Sequence, residues 1–164
     1  MIDISSAEKY VKQNQPEIIN LLVDFTLTDV ILFWNSNAEL MKKQKLGWQP
    51  LLDWLLQEYH IKLIPTTSLE PPQENKQQCK SLQQLYGTLY LKDLTAFYLA
   101  ATSLKSTILG FALVKNKINS AKAHELSFME ELHQNIFWGE DEEAVKNREK
   151  VRQDLKQIEE YLQK

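Results

Sequence analysis

The stretch Met-Glu-Glu-Leu-His-Gln-Asn-Ile-Phe-Trp-Gly-Glu, residues 129–140, joins two helical patterns and decides how the C-terminal part of the chain folds. Asn119 or Ser120 supplies a short polar N-cap for the first helix, and Gly139 ends it, because glycine tolerates the left-handed backbone of a helix stop. Between them, apolar residues recur at three- and four-residue steps, as one buried helical face requires: Ala123, Leu126, Met129, Leu132, Ile136 and Phe137. We therefore expect one helix that ends at Gly139 and is buried along this face.

A second helix begins directly after this glycine. Acidic residues 140–143 open it, and carboxylates are favoured at the positive end of a helix dipole. Its buried stripe is predicted from the apolar spacing, with mixed charges on the opposite side: Ala144, Val151, Leu155, Ile158 and Leu162.

One flank of the first helix combines a carboxylate, an amide and an indole. Glu130, Gln134 and Trp138 follow each other at four-residue steps, and Glu131 lies beside them. Such a flank could grip another chain. The alternative is that Trp138 is a core anchor capped by Gln134 while the glutamates are solvated, and periodicity alone favours that alternative.

The first half of the chain shows two helical segments around a tryptophan pair. Ser36 to Glu39 reads as a capping box, and the helix that it opens is predicted to end near Gly47. Pro50 suits the first position of the next helix, in which Trp48 and Trp54 are expected to be core residues.

Thr28-Asp29 marks a break before the apolar run Val30–Phe33. Asp29 is either a turn-former or a tie at this junction, since short acidic side chains commonly bond to nearby backbone. The pattern of Val30–Phe33 fits a helical turn as well as an extended piece, and we expect one short extended or irregular segment there.

Three further features complete the organisation of the chain. Residues 1–15 form an N-terminal extension, with Ser5 and Glu8 as a capping box for a short helix that Pro16 interrupts. The polar, proline-containing segment 65–78 is predicted to be an exposed loop. Lys105 lies in the middle of the apolar stretch 94–114, which argues against a membrane span and favours two core helices, or one bent helix, with Lys105 at the bend.

Length and composition indicate one folded, helix-leaning domain, and with the helical patterns above we expect an all-α fold that forms a single compact domain over residues 1–164. It is 43% hydrophobic and 25% charged, with only 4 Gly and 5 Pro, which is typical of a helix-rich protein and not of a disordered one. The net charge of −3 and the absence of a concentrated basic face argue against a nucleic-acid partner.

The residue types that carry chemistry do not form a recognisable site. Cys79 is the only cysteine, and the three histidines lack the spacing of metal ligands, so we expect no metal site and no cofactor. The four glycines are far apart and form no phosphate-binding loop. Glu130 and Glu131 are about 100° apart around a helix and do not converge as an acid and base pair. We therefore expect no enzymatic activity.

No secretory signal, basic amphipathic presequence or lipidation motif is visible from Met1. The expected location is the bacterial cytoplasm, or the mitochondrial matrix if the protein is eukaryotic.

Two blocks of the sequence resemble a known family, the assembly chaperones of the F-type ATP synthase that act on its alpha subunit. The first block contains Met129-Glu130-Glu131, Gln134 and Trp138-Gly139-Glu140, and the apolar run 106–113 precedes it. The second block has the same order and matching spacing: Thr28-Asp29, Glu39-Leu40, Gln44, Trp48, Pro50-Leu51-Leu52 and Trp54. The resemblance extends from about Pro16 to the end of the chain. Two departures are the lack of a counterpart to the family's β-rich N-terminal domain, and Lys105 where members commonly have a small residue.

The resemblance implies the C-terminal helical domain of a chaperone that binds the unassembled alpha subunit until beta subunits replace it, without membrane insertion. Carried over by motif, the partner-binding residues are Glu130, Glu131, Gln134, Trp138 and Gly139. Glu131 is preferred as the family's acidic position, where its carboxylate would select a cationic group. The upstream matches are expected to maintain the fold: Asp29, Gln44, Trp48, Pro50 and Trp54. The alternative is a truncated relative that serves as a helical adaptor for another client.

Overall fold

The computed structural model describes residues 2–164, and this part of the chain contains nine α-helices and no β-sheet. The helices are α1 Ile4–Gln13, α2 Gln15–Leu27, α3 Ala38–Tyr59, α4 Cys79–Gly87, α5 Leu91–Leu104, α6 Thr107–Val114, α7 Ser120–Ser127, α8 Met129–Trp138 and α9 Glu142–Gln163. Short 3-10 turns occur at Val30–Leu32 and Gln73–Gln78. The all-α prediction is confirmed.

The centre of the molecule is the α5–α6 hairpin. Lys105 ends α5 in the left-handed backbone region, with φ 55°, and the Ser106 side chain caps α6 by accepting from the Leu109 amide. The chain therefore makes the predicted pair of helices with Lys105 at the bend. Every residue of α6 from Thr107 to Leu113 is buried. Among the helices of residues 2–164, none combines the length and apolar character needed to cross a bilayer.

Aromatic side chains fill the space around this hairpin. Phe111 of α6 lies 5.5 Å from Phe97 and 5.4 Å from Tyr86, measured between ring centroids. Trp54 and Tyr59 of α3 approach the same ring at 5.8 and 5.4 Å. Helices α1 and α9 also pack against α5. The predicted stripe of α9 faces inward there, with Val151, Leu155 and Ile158 buried and Leu162 partly buried against the core.

Helix α3 is continuous, so the predicted stop near Gly47 is wrong. Gly47 lies within the helix, at the point where α3 passes very close to the end of α7. A Cβ at this position would lie 2.6 Å from Met129 Cε and 2.7 Å from Leu126 Cδ2. Glycine at position 47 therefore permits close packing of α3 against the α7–α8 junction. The helix also continues through Pro50, although proline lacks an amide hydrogen. The N-cap is Asn37 and not Ser36, since the Asn37 side chain accepts from the Leu40 amide at 3.1 Å.

The predicted single helix that ends at Gly139 is instead two helices. Phe128 leaves the helical region, with φ −102° and ψ 11°, and separates α7 from α8. The expected burial of the apolar face continues through Ala123 and Leu126 but fails beyond the break. Leu132, Ile136 and Phe137 are exposed, because the change of direction carries α8 away from the core.

Three other local predictions also need correction. The run Val30–Leu32 is a 3-10 turn, and only Phe33 is extended, where it forms an isolated bridge with Thr66. The segment 65–78 is not a loop throughout. Its Gln73–Gln78 turn buries Asn75, which exchanges hydrogen bonds with the Ile64 backbone. At the N-terminus the cap of α1 is Asp3 and not Ser5, because the Asp3 carboxylate accepts from the Ser6 amide.

Candidate partner-binding surface

Helix α8 leaves most of its apolar side chains in solvent. It packs on α3 and α7, and among its residues only His133 is buried. The exposed fractions are 41% for Leu132, 68% for Ile136, 64% for Phe137 and 86% for Trp138. We call these four residues the apolar α8 surface. Four large apolar side chains exposed within seven residues are unusual for a surface that has no partner.

A groove separates this surface from α3. It encloses about 420 Å³, and its apolar lining residues are Leu46, Gly47, Leu126, Met129, Leu132 and Ile136. Leu46, on the α3 side, is 71% exposed. Lys43, Lys122 and Glu125 line the same groove. The Lys43 ammonium lies 3.2 Å from His133 Nδ1, so α3 and α8 make a polar contact beside the apolar one.

The structure places the predicted partner-binding residues on two different sides of α8. Gln134, Trp138 and Gly139 are exposed, and Glu130 is half-buried on the same flank. The alternative in which Trp138 is a core anchor is excluded by its exposure. Glu131 lies on the side of α8 that faces α9.

Glu131 is bound to an arginine of this chain. Arg148 of α9 donates from Nη1 to Glu131 Oε2 at 2.9 Å and from Nη2 to Glu140 Oε1 at 2.8 Å. The arginine is only 8% exposed, whereas the two carboxylates are at the surface. Sequence reasoning missed Arg148, because a single arginine in the polar half of a charged helix gives no local signal.

Asp29 is buried inside the fold and does not lie at a binding surface. Its carboxylate accepts from the backbone amides of Ile31 and Ile108, each at 2.9 Å, and from the hydroxyls of Ser106 and Thr107. Burial raises the pKa of the Asp29 carboxyl, and the hydrogen bonds from Ile108, Ile31, Thr107 and Ser106 oppose that rise. The carboxylate thus ties the 3-10 turn after α2 to the N-terminus of α6.

Three of the other upstream motif residues, Gln44, Trp48 and Trp54, also lie inside the fold. Trp48 is buried, and its indole nitrogen donates to the Leu126 carbonyl at 3.1 Å. Gln44 Oε1 accepts from the Asn35 amide at 2.8 Å, and Trp54 packs against Phe111. Pro50 differs from them, because it is exposed in the middle of α3. All of these contacts hold α3 against its neighbours.

A second apolar groove, of about 620 Å³, lies between α2 and α5. Leu21, Phe25 and Val30 are partly exposed along it, and Tyr98 and Lys105 line its other side. Sequence reasoning missed this groove, because its apolar residues fit the helical pattern of a core face.

Comparison with known proteins gives relatives in both sequence and structure. No family model matches the sequence. The chain is 26% identical over 150 residues to the mitochondrial protein atp12 of Schizosaccharomyces pombe, a match that covers 87% of this chain and 50% of the relative. The chain therefore spans half the length of this curated relative.

Solved structures have the same fold. The crystal structure of Atp12 from Paracoccus denitrificans superposes with a TM-score of 0.89 at 28% identity, over 96% of this chain and 68% of that one. The Atu1473 protein of Agrobacterium tumefaciens superposes with a TM-score of 0.82 at 22% identity, over 96% of this chain and 60% of that one, and shares the fold. Similarity in sequence and in fold together supports assignment of the chain to the Atp12 family of ATP synthase assembly factors.

Proposed function

We propose that the chain is a molecular chaperone for assembly of the catalytic sector of F-type ATP synthase, which binds the unassembled alpha subunit until beta subunits replace it. Similarity to Atp12 proteins supports a role in ATP synthase assembly. The observation that carries the proposal is the apolar α8 surface, with Trp138 at its end and Leu46 across the groove. It acts where the synthase is assembled, in the bacterial cytoplasm or in the mitochondrial matrix of a eukaryote.

The physical need for such a surface follows from the client. A subunit that belongs in an alternating ring exposes a large, partly apolar interface before its neighbours arrive, and that interface self-associates unless it is covered. Release to the correct neighbour requires that the cover bind more weakly than the neighbour does.

The size of the apolar α8 surface is consistent with reversible binding to the alpha subunit. Full burial of one large apolar side chain contributes roughly 1.5–3 kcal/mol, so four exposed side chains offer several kcal/mol. Association costs at least about 4 kcal/mol in lost translational and rotational freedom. The balance favours binding that a larger subunit interface can displace. The activity is binding alone, in keeping with a family that is not catalytic.

Suppression of aggregation by purified protein tests the proposal. Purified alpha subunit is diluted from denaturant, and light scattering is recorded with and without an equimolar amount of the chain. We expect the wild-type chain to suppress scattering. Trp138→Ala should weaken its affinity for the alpha subunit about tenfold or more, because tryptophan is the most exposed side chain of this surface and a few aromatic residues commonly carry most of the binding energy.

Tyr90→Ala is the matched control. Tyr90 is an aromatic residue, 84% exposed, at the start of α5 and far from α8 in sequence. It should behave as wild type. A wild-type chain that leaves scattering unchanged would refute the chaperone role, and equal losses in both variants would refute the assignment of the surface. Capture of a different subunit in co-purification would favour the adaptor function.

A further inference from the structure

Arg148 connects α9 to both ends of the exposed part of α8. Glu131 lies in the first turn of α8, and Glu140 follows the glycine that ends the helix. One guanidinium binds both carboxylates, with one nitrogen for each, at 2.9 and 2.8 Å. The residues between the two carboxylates include the whole apolar α8 surface. A single side chain therefore braces this surface at its beginning and at its end.

The two ion pairs of Arg148 are important for the position of α8 because few other contacts hold this helix. Its N-terminus has no side-chain cap, and its only buried residue is His133. By contrast, the N-terminus of α6 is capped by Ser106 and held by Asp29. On the other side of the connection, the backbone carbonyl of Arg148 accepts from His124 Nε2 at 2.8 Å, so α7 fixes the position from which the guanidinium reaches out.

Burial makes this connection stronger than an ordinary surface ion pair. Arg148 is 8% exposed, so its charge is largely removed from water and depends on the two carboxylates. The planar guanidinium presents separate donors in fixed directions, and a lysine ammonium at the same place offers only a point charge on a flexible stem. A lysine would hold one carboxylate well and the other poorly.

We propose that Arg148 is a positioning residue for partner binding: it holds α8 in the orientation that presents the apolar α8 surface, without itself contacting the partner. This inference rests on the proposed function only where capture of the alpha subunit is concerned. It also assigns a different role to Glu131. The cationic group that Glu131 meets is Arg148 of its own chain, so its carboxylate acts on the partner through the position of α8.

Hydrogen exchange on the chain alone tests the brace without a client. In Arg148→Met we expect backbone amides of α8 to exchange about tenfold faster or more, because loss of the arginine leaves the helix free to open locally. Amides of α5 and α6 should exchange as in wild type. Glu131→Gln and Glu140→Gln should each produce a smaller rise, since each leaves one of the two ion pairs intact.

Arg152→Met is the matched control. Arg152 lies one turn further along α9 and binds Glu149 through two nitrogens, at 2.9 and 2.6 Å, but this pair stays within α9. It should leave α8 exchange unchanged. Arg148→Lys should restore part of the protection that Arg148→Met loses. An α8 exchange rate that stays at the wild-type value in Arg148→Met would overturn the inference, and so would an equal rise in α5, α6 and α8.

Capture of the alpha subunit then separates the two proposals. If the wild-type chain captures the subunit, Arg148→Met should lose capture at temperatures where its core remains folded, and Arg148→Lys should recover part of it. Full capture by an Arg148→Met chain with faster α8 exchange would overturn the positioning role. If the wild-type chain captures nothing but α8 exchange changes as expected, the chaperone proposal fails and the assignment of Arg148 as the residue that holds α8 stands.

Discussion

Helices α6 and α8 are both short and rich in apolar residues, yet one is buried and the other is not. Helix α6 is buried at every position from Thr107 to Leu113, and its first turn is fastened by Ser106 and Asp29. In α8 only His133 is buried, and the side chain that restrains the helix comes from α9. The apolar content of a helix therefore indicates which side chains are expected to be buried. It does not indicate whether they are buried against the same chain or against a partner. In α8 we propose that they are buried against a partner.

The same substitution in the two helices gives the largest contrast. Phe111→Ala in α6 should lower the free energy of unfolding by about 3–5 kcal/mol, because the ring is 1% exposed and its removal leaves a cavity. Phe137→Ala in α8 should change it by no more than about 0.5 kcal/mol, because the ring already lies largely in solvent. Urea unfolding of the two variants measures both values. A large loss in Phe137→Ala would contradict the exposed position of α8.

The anchoring of α6 can be tested through Asp29. Asp29→Asn should lower the free energy of unfolding by about 3 kcal/mol, because both carboxylate oxygens accept from buried amides and the new NH₂ group would face one of them. Asp24→Asn, an exposed position on α2, is the control and should stay within about 0.5 kcal/mol of wild type. Chemical denaturation monitored by circular dichroism provides the comparison. Equal stability of the two variants would show that the carboxylate is dispensable to α6.

The restraint on α8 predicts a smaller change in stability. Glu131→Lys places an ammonium beside the Arg148 guanidinium and should lower the free energy of unfolding by about 1 kcal/mol, a modest value because the Glu131 side chain is 37% exposed and screened by solvent. Capture of the alpha subunit should nevertheless be lost, because α8 is displaced. Melting and co-purification measure the two effects. A Glu131→Lys chain that captures the subunit at wild-type yield would contradict the importance of this position.

Several features of the fold were predictable because their signals are local. Lys105 interrupts an apolar run, and the structure bends there. Pro16 falls in the first turn of α2, as its missing amide hydrogen allows. Trp48 was expected in the core and is buried. In each case one residue has a property of its own that limits its place in the fold: a charge in Lys105, a missing amide hydrogen in Pro16 and a large aromatic ring in Trp48.

Other features depend on contacts between distant parts of the chain and leave no local pattern. Asp29 was identified as a turn-former or a tie, but its partners in α6 lie 77 to 79 residues away. Gly47 was interpreted as a helix stop, whereas its role is to let α3 approach Leu126 and Met129. Helical periodicity predicted burial of Ile136 and Phe137, because a pattern of apolar spacing is the same whether the covering surface belongs to the chain or to a partner.

The position of Trp138 provides a built-in optical probe. Of the four tryptophans, Trp48 and Trp54 are buried and Trp34 is half-buried, so Trp138 is the one whose indole lies mainly in water. Indole emission moves to shorter wavelength when water is removed from the ring. Docking of any protein on α8 would therefore shift the intrinsic fluorescence of this chain without a dye, and a Trp138→Phe chain would provide the blank.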